Sequence, residues 1–312
     1  MSKKAQEIIS EVKKVIVGKD NVISKVLMAL LARGHVLLED VPGVGKTTLA
    51  LSFSRTLNLD YQRIQCTPDT TPSDIIGYSY YRKGEDDLVY NPGVVMTNLL
   101  LADEINRTSS KTQSALLEVM EEGNVTVDGV TRALPEPFAV IATQNPFGSA
   151  GTQLLPQSQL DRFTVCLEMG YPDFDSHVSI LRERNTDQPL SNVRQVATKQ
   201  DIVLMQKEVD QIAVRDELFA YITDLAEGTR KNKNISLGLS PRGALAVVKM
   251  SKANAYISGR EYLVPQDIVD IFTDVAAHRL VISPKAKIAG LKAEDISDEI
   301  LKSTKTPNVT SV

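Results

Sequence analysis

Apolar positions along this chain change rhythm several times, and each change marks an element. Ile8, Ile9, Val12, Val15 and Ile16 recur at helical spacing over residues 5–17 and stop at Gly18; Val22, Val26, Leu27 and Leu30 repeat the pattern over residues 20–32, with Gly34 closing it. The run Val36-Leu37-Leu38 has no such period. It breaks into Glu39-Asp40-Val41-Pro42-Gly43-Val44-Gly45-Lys46-Thr47-Thr48 and turns helix-like at Leu49, Ala50 and Leu51, which reads as strand, loop, helix. Residues 61–66 predict a short strand and residues 67–71 a turn. Residues 77–95 predict a packed hairpin, with Tyr78, Tyr80 and Tyr81 before the polar turn Lys83-Gly84-Glu85-Asp86-Asp87 and Leu88-Val89-Tyr90 after it. Clustered tyrosines also suit base stacking, but the acids in the turn, beside only Arg82 and Lys83, favour packing.

The run Asn98-Leu99-Leu100-Leu101-Ala102 predicts a buried strand, and it ends abruptly in Asp103-Glu104. An amphipathic helix over residues 109–122 carries Leu116, Leu117, Val119 and Met120 and stops at Gly123; residues 124–132 then form a hairpin around Asp128-Gly129. Residues 138–143 are a further buried strand, ending in Gln144-Asn145-Pro146, and residues 164–167 a last one. Past Tyr171 the pattern is helical throughout, over residues 174–184, 198–212, 216–229, 240–257 and 265–280, with no convincing strand between. Strands alternating with helices predict an α/β core with a parallel sheet and its ligand at the strand ends; a smaller all-helical C-terminal domain follows. The expected division is residues 1–190, residues 191–300 and a disordered tail over 301–312, with Pro189 in the polar link.

Composition narrows this little. The 312 residues are 42% hydrophobic, enough for a sizeable core. No apolar run approaches the roughly 18 residues of a membrane span, and residues 1–7 lack a signal peptide's apolar core, so a cytoplasmic location is expected. Cys66 and Cys166 lie far apart, without metal-ligand or redox spacing, and are expected to be reduced, buried thiols. His35, His177 and His278 are isolated, which offers no transition-metal constellation. A net charge of −4 argues mildly against a dedicated nucleic-acid binder.

The chemistry sits where strands end. A loop of small residues entering a helix leaves backbone N–H groups aimed at one spot, and the helix dipole adds attraction for an anion. Gly43 and Gly45 let a phosphate approach, Lys46 reaches toward the β and γ phosphates, and the Thr47 hydroxyl suits a magnesium ion; Pro42, Val44 and Thr48 complete this P-loop. Asp40 stands where the general P-loop pattern has its first glycine, and because a carboxylate repels a triphosphate, its side chain is expected to face away. Hydrolysis also needs a metal ligand and a group acting on the attacking water, roles open to Asp103 and Glu104 respectively.

These residues resemble AAA+ ATPases, and among them the MoxR family. The resemblance is carried by Leu37-Leu38-Glu39-Asp40-Val41-Pro42-Gly43-Val44-Gly45-Lys46-Thr47, Leu101-Ala102-Asp103-Glu104-Ile105-Asn106-Arg107, Ala142-Thr143-Gln144-Asn145-Pro146 and Gln159-Leu160-Asp161-Arg162-Phe163, and it spans nearly the whole chain. It implies a parallel-sheet P-loop AAA+ core with a smaller helical lid. The two hairpins match that branch's insertions, one in helix 2 and one before the sensor strand. By the same resemblance Asn145 is the sensor-1 residue, although an Asn before Pro146 is also a good turn former. Arg162 resembles an arginine finger that reaches a neighbouring subunit, although read alone it could pair with Asp161 or Glu168. Arg242, in Ser240-Pro241-Arg242-Gly243, resembles the sensor-2 arginine, or is a surface residue at a helix start. Val17 and Gly18 match the adenine-packing position, or are plain helix punctuation.

The resemblance therefore implies a magnesium-dependent ATPase that uses ATP in a homo-oligomeric, hexameric ring to remodel a protein client, with von Willebrand factor A domain proteins as the expected partners. One alternative is a nucleic-acid motor of the same branch, for which the Asp128-Gly129 hairpin tip, with only Arg132 near it, is poorly suited. The other is a nucleotide-binding scaffold without turnover, which would be expected to lack Glu104, Asn145 or Arg162.

Overall fold

Strands buried on both faces must be apolar at consecutive positions, and three segments of this chain are. The computed structural model describes residues 3–82, 88–145, 155–184 and 189–307. Its elements in chain order begin with α1 (Lys3–Lys13), α2 (Asp20–Leu31), β1 (Val36–Glu39), α3 (Lys46–Leu57), β2 (Tyr61–Gln65) and α4 (Pro72–Ile76). The hairpin β3 (Gly77–Tyr81) and β4 (Leu88–Pro92), then β5 (Leu99–Asp103), α5 (Ser110–Glu122), the hairpin β6 (Asn124–Val127) and β7 (Val130–Ala133), β8 (Ala139–Gln144), α6 (Gln157–Leu160), β9 (Val165–Leu167) and α7 (Phe174–Arg184) complete the first part. The C-terminal part, which holds the lid, has α8 (Lys199–Asp210), α9 (Asp216–Lys231), β10 (Ile235–Leu237), α10 (Pro241–Ile257), α11 (Pro265–Ala276), β11 (Val281–Ile282), α12 (Pro284–Ile288) and α13 (Ala293–Ser303).

The central sheet is parallel and five-stranded, in the order β2-β5-β8-β1-β9. Successive side chains point to opposite faces, and the core divides accordingly. Val36, Leu38, Leu99, Leu101 and Ile141 join α1, α2, α3 and the lid helices in one apolar cluster. Leu37, Leu100, Ala102, Val140 and Ala142 join α5 in the other. Ser109 caps α5 by accepting from Thr112 N, and Gly123 ends it. Asp128 and Gly129, with φ of 51° and 76°, form the tight turn between β6 and β7 that Asp-Gly signals.

The lid departs from the expected all-helical character in one respect: β10 and β11 pair as a two-stranded antiparallel ribbon. It is also less separate than the chain order suggests. Gln206 Nε2 donates to Leu30 O (2.8 Å), Gln6 Nε2 to Ile257 O (3.3 Å), and Lys25 pairs with Asp274, so α1 and α2 lie against lid helices. At the other end, α13 carries the chain to Ser303, past the start of the expected tail. The polar turn at residues 83–87, Pro146 and residues 308–312 fall outside the described residues. The hairpin tyrosines are not packed away as expected: Tyr78 is 49% and Tyr81 74% exposed. Tyr90 is better covered. Its hydroxyl donates to Ile76 O (2.6 Å), and the Arg132 guanidinium lies 4.0 Å over its ring, tying the two hairpins together. Among the described residues no helix is long and apolar enough to cross a membrane.

His35, just before β1, joins three of these elements. Val140 N donates to its Nδ1 (3.0 Å), so the ring proton sits on Nε2 and is donated to Met120 O (2.9 Å). Burial holds its pKa down at about 4, against 6.5 for an ordinary histidine. An unfolded chain takes up this proton as the pH falls through 6.5, whereas the folded chain refuses it until about 4. His35 therefore contributes stability above pH 6.5 that is lost as the pH falls through this window, about 3 kcal/mol in all. Urea titrations between pH 7 and 4 should show a larger loss in the wild type than in His35→Gln, which keeps the similar contribution of His278; parallel curves would contradict it.

Candidate functional site

The carboxyl ends of β1, β2, β5 and β8 enclose a cavity of about 290 Å3. The loop after β1 brings Pro42, Gly43, Gly45, Lys46 and Thr47 to its wall, and β8 brings Asn145. Gly43 and Gly45 have φ of 87° and 103°, and a Cβ on Gly43 would meet no atom within 4 Å, so that glycine is required by conformation and not by space. Gly45 starts α3 without any side chain capping its first turn. Those amides are left for an anion. Lys46 Nζ donates to Asp40 O (2.8 Å); burial draws its pKa down, opposed by the carboxylates of Asp40, Asp103 and Glu104. Val44 packs against the core, and Thr48 lies one residue further into α3; neither lines the cavity.

Asp40 is the exception to the P-loop pattern that the structure explains. Its carboxylate is buried and turned toward the end of β9, where Oδ2 accepts from Met169 N (2.6 Å) and Gly170 N (2.8 Å) and Oδ1 from Val41 N (3.0 Å). Both its oxygens are engaged by backbone amides; Asp40 still borders the cavity, where its charge acts on Lys46.

Asp103 and Glu104 diverge from a shared anchor. The Thr143 hydroxyl, on β8, donates to Asp103 Oδ1 (2.6 Å) and accepts from Glu104 N (2.8 Å). Glu104 has φ of 56°, a left-handed conformation rare outside glycine and asparagine and often found at active sites. That twist lets neighbouring acids aim apart. Asp103 Oδ2 pairs with Arg63 Nη2 (2.7 Å), while Glu104 Oε2 accepts from Gln65 Nε2 (3.3 Å) and Arg107 Nη1 (2.7 Å). Asp103 and Thr47 line the same cavity and offer only hard oxygen donors, a set suited to magnesium.

Arg162 and Arg242 are elsewhere. They line a second cavity of about 310 Å3 that shares no lining residue with the first. Both reach Glu121 at the end of α5: Arg162 Nε lies 3.4 Å from Oε2, and Arg242 Nη2 contacts Oε1. Neither Asp161 nor Glu168 is the partner of Arg162. Asp161 is taken by Arg279, whose Nε donates to Oδ1 (2.8 Å). Val17 and Gly18 also stay off the first cavity, with Ser176 packed against Gly18. A short bridge connects them to it, since Lys19 Nζ donates to Tyr171 O (2.9 Å) next to the amides that Asp40 holds.

Sequence reasoning missed Arg63 and Gln65, polar residues on a strand of a mostly apolar sheet, and Glu121 and Arg279, which nothing local distinguishes. The cysteines are free; Cys66 is buried and Cys166 half-buried, and burial pushes both thiols up, Cys66 to about 12.

Known proteins resemble this chain in sequence and in fold. The sequence model of the ATPase family associated with various cellular activities matches residues 35–165, and that of the AAA lid domain matches residues 227–300. The chain is 44% identical to YeaC of Bacillus subtilis over 299 residues, 96% of this chain and 93% of that one. It is 37% identical to Chaperone MoxR1 of Mycobacterium tuberculosis over 313 residues (97% and 82%) and 30% identical to Protein MoxR of Methylorubrum extorquens over 299 residues (88% and 86%). A crystal structure of a candidate ATPase from Cytophaga hutchinsonii superposes with a TM-score of 0.91 at 34% identity, covering 98% of this chain and 95% of that one. A full-length MCM homologue from Methanopyrus kandleri, at 16% identity and a TM-score of 0.57 over 96% of this chain and 59% of its own, shares the fold alone. Sequence and fold converge: this chain belongs to the MoxR family of AAA+ ATPases.

Proposed function

We propose that the chain hydrolyses ATP in the presence of magnesium at the interfaces of a homo-oligomeric, hexameric ring and uses the cycle to remodel a protein client, with residues 1–190 as the ATPase core and 191–300 as the lid. The observation that carries this reading is the division of the machinery. One cavity holds the phosphate loop with Asp103, Glu104 and Asn145, and the other holds Arg162 and Arg242. Neither is complete alone, and a ring that sets one subunit's arginines against its neighbour's phosphate loop joins them.

Within such an interface Lys46 and the first amides of α3 hold the β and γ phosphates, and Thr47 and Asp103 would hold a magnesium ion, which would supply charge neutralisation there. Glu104 accepts a proton from the attacking water, and Asn145 orients that water. Arg162 and Arg242 lie on the arginine face, where guanidinium groups stabilise charge building on the transferred phosphoryl. Val17 and Gly18 border the adenine. Client remodelling is supported by the chaperone designation of the Mycobacterium relative. A von Willebrand factor A domain client follows from the family resemblance.

Glu104→Gln should keep ATP and magnesium bound while slowing hydrolysis at least ~100-fold, because the amide retains shape and loses basicity. Asp103→Asn should instead weaken the magnesium dependence. Single-turnover hydrolysis beside ATP-binding calorimetry checks both, and identical behaviour of the two variants would contradict the division of roles. The Glu104→Gln protein, held in ATP, is also the bait that should retain the client in a pull-down.

A further inference from the structure

The arginine face contains a charge pair that the proposed chemistry does not use. Arg279, in the turn Ala277–Arg279 after α11, is 3% exposed. Its Nε donates to Asp161 Oδ1 (2.8 Å), Nη1 to Thr164 O (3.2 Å) and Nη2 to Phe163 O and Asp161 O, the latter at 3.3 Å. The segment so gripped, residues 161–164, is the one that carries Arg162. Asp161 has a second partner from the lid: Ser240 Oγ donates to Oδ2 (3.1 Å) while accepting from Gly243 N (3.0 Å) as the cap of α10, the helix whose first turn carries Arg242. Gly243 lets the Arg279 stem pass close by, since a Cβ there would lie 2.8 Å from Arg279 Cδ. Gln157 Nε2 adds a bond to His278 O (3.0 Å).

The Arg279 side of this pair is buried while Asp161 keeps 21% of its side chain exposed, and taking a guanidinium out of water is seldom more stabilising than apolar groups of the same shape, so stability alone does not account for it. What a guanidinium supplies is a planar fork that fixes several acceptors at set angles. Asp161 adjoins Arg162, and Ser240 and Gly243 flank Arg242. We infer that Asp161 and Arg279 are positioning residues that lock the core segment bearing Arg162 to the lid helix bearing Arg242, so that both arginines reach the neighbouring subunit as one unit. This rests on the trans arrangement proposed above.

Mixed rings test it. Lys46→Ala subunits donate arginines without binding ATP, and Arg162→Ala subunits bind ATP without donating the finger; together they should regain hydrolysis. Adding Asp161→Asn to the Lys46→Ala subunits should cut the regained rate ~10-fold or more, whereas on the Arg162→Ala subunits it should change it by less than about twofold, because displacing a reacting group by an ångström is that costly. A purely structural role would give equal losses for the two placements and would overturn the inference. Should Asp161→Asn fail to fold, Ser240→Ala, which leaves the Asp161–Arg279 pair intact, carries the same comparison with a smaller expected loss. A parent mixture without activity overturns the trans arrangement itself, and this inference with it.

Discussion

Lys46→Ala chains should fold normally and bind ATP at least ~100-fold more weakly than wild type. Charge-assisted hydrogen bonds are worth about 1.5–3 kcal/mol each, so loss of contacts to two phosphates costs about 3–6 kcal/mol, a hundredfold or more in Kd. The surroundings sharpen the loss. Lys46 shares its cavity with the carboxylates of Asp103 and Glu104, which repel a triphosphate once the ammonium is gone. Arg63, another cation at this cavity, is already paired with Asp103 at 2.7 Å and is not free to take its place. The fold should survive because Lys46 is only half-buried and its hydrogen bond is to the Asp40 carbonyl, while Asp40 keeps its amide partners. Isothermal calorimetry with ATP and magnesium measures this, and unchanged affinity in a folded variant would show that the loop is not the nucleotide site.

Arg162→Ala should bind ATP nearly as well as wild type yet hydrolyse it ~1,000-fold or more slowly, the loss expected when an arginine finger is removed. The two effects separate because Arg162 lies outside the cavity that would hold its own subunit's nucleotide. Its partner Glu121 is 38% exposed on the side chain, so the contact is open to exchange for a phosphate. Wild-type specific activity should also rise with protein concentration as interfaces form. Concentration-independent activity with a full rate in Arg162→Ala would place catalysis within one chain.

Much of this was legible in the sequence where local physics decides structure. β1, β5 and β8 are buried on both faces, which demands the unbroken apolar runs that announce them. The Asp128-Gly129 turn was similarly explicit. The signal for α4 is of another kind: Thr71-Pro72-Ser73-Asp74 is a capping box with proline in the first turn, on a helix too short to show a period. The spacing of Ile296 and Ile300, both buried, likewise marks α13. By contrast β10 and β11 owe their conformation to pairing across the lid, which no local pattern encodes. The phosphate loop and its acids were readable because contiguous residues build them. Arg63 and Gln65 acquire their place only from the register that sets Gln65 beside Asp103. For Arg162 proximity along the chain misled: Asp161 is next to it and belongs to Arg279, while Glu121 comes from another element altogether.

Complementation between inactive subunits tests catalysis across subunits most directly. Lys46→Ala protein lacks a working phosphate loop and keeps Arg162; Arg162→Ala protein keeps the loop and lacks the finger. Mixed under conditions where subunits demonstrably exchange, they should regain a substantial fraction of wild-type hydrolysis, because some interfaces pair an intact loop with an intact finger. A mixture as inactive as either parent would contradict the account and return Arg162 to a role within its own chain.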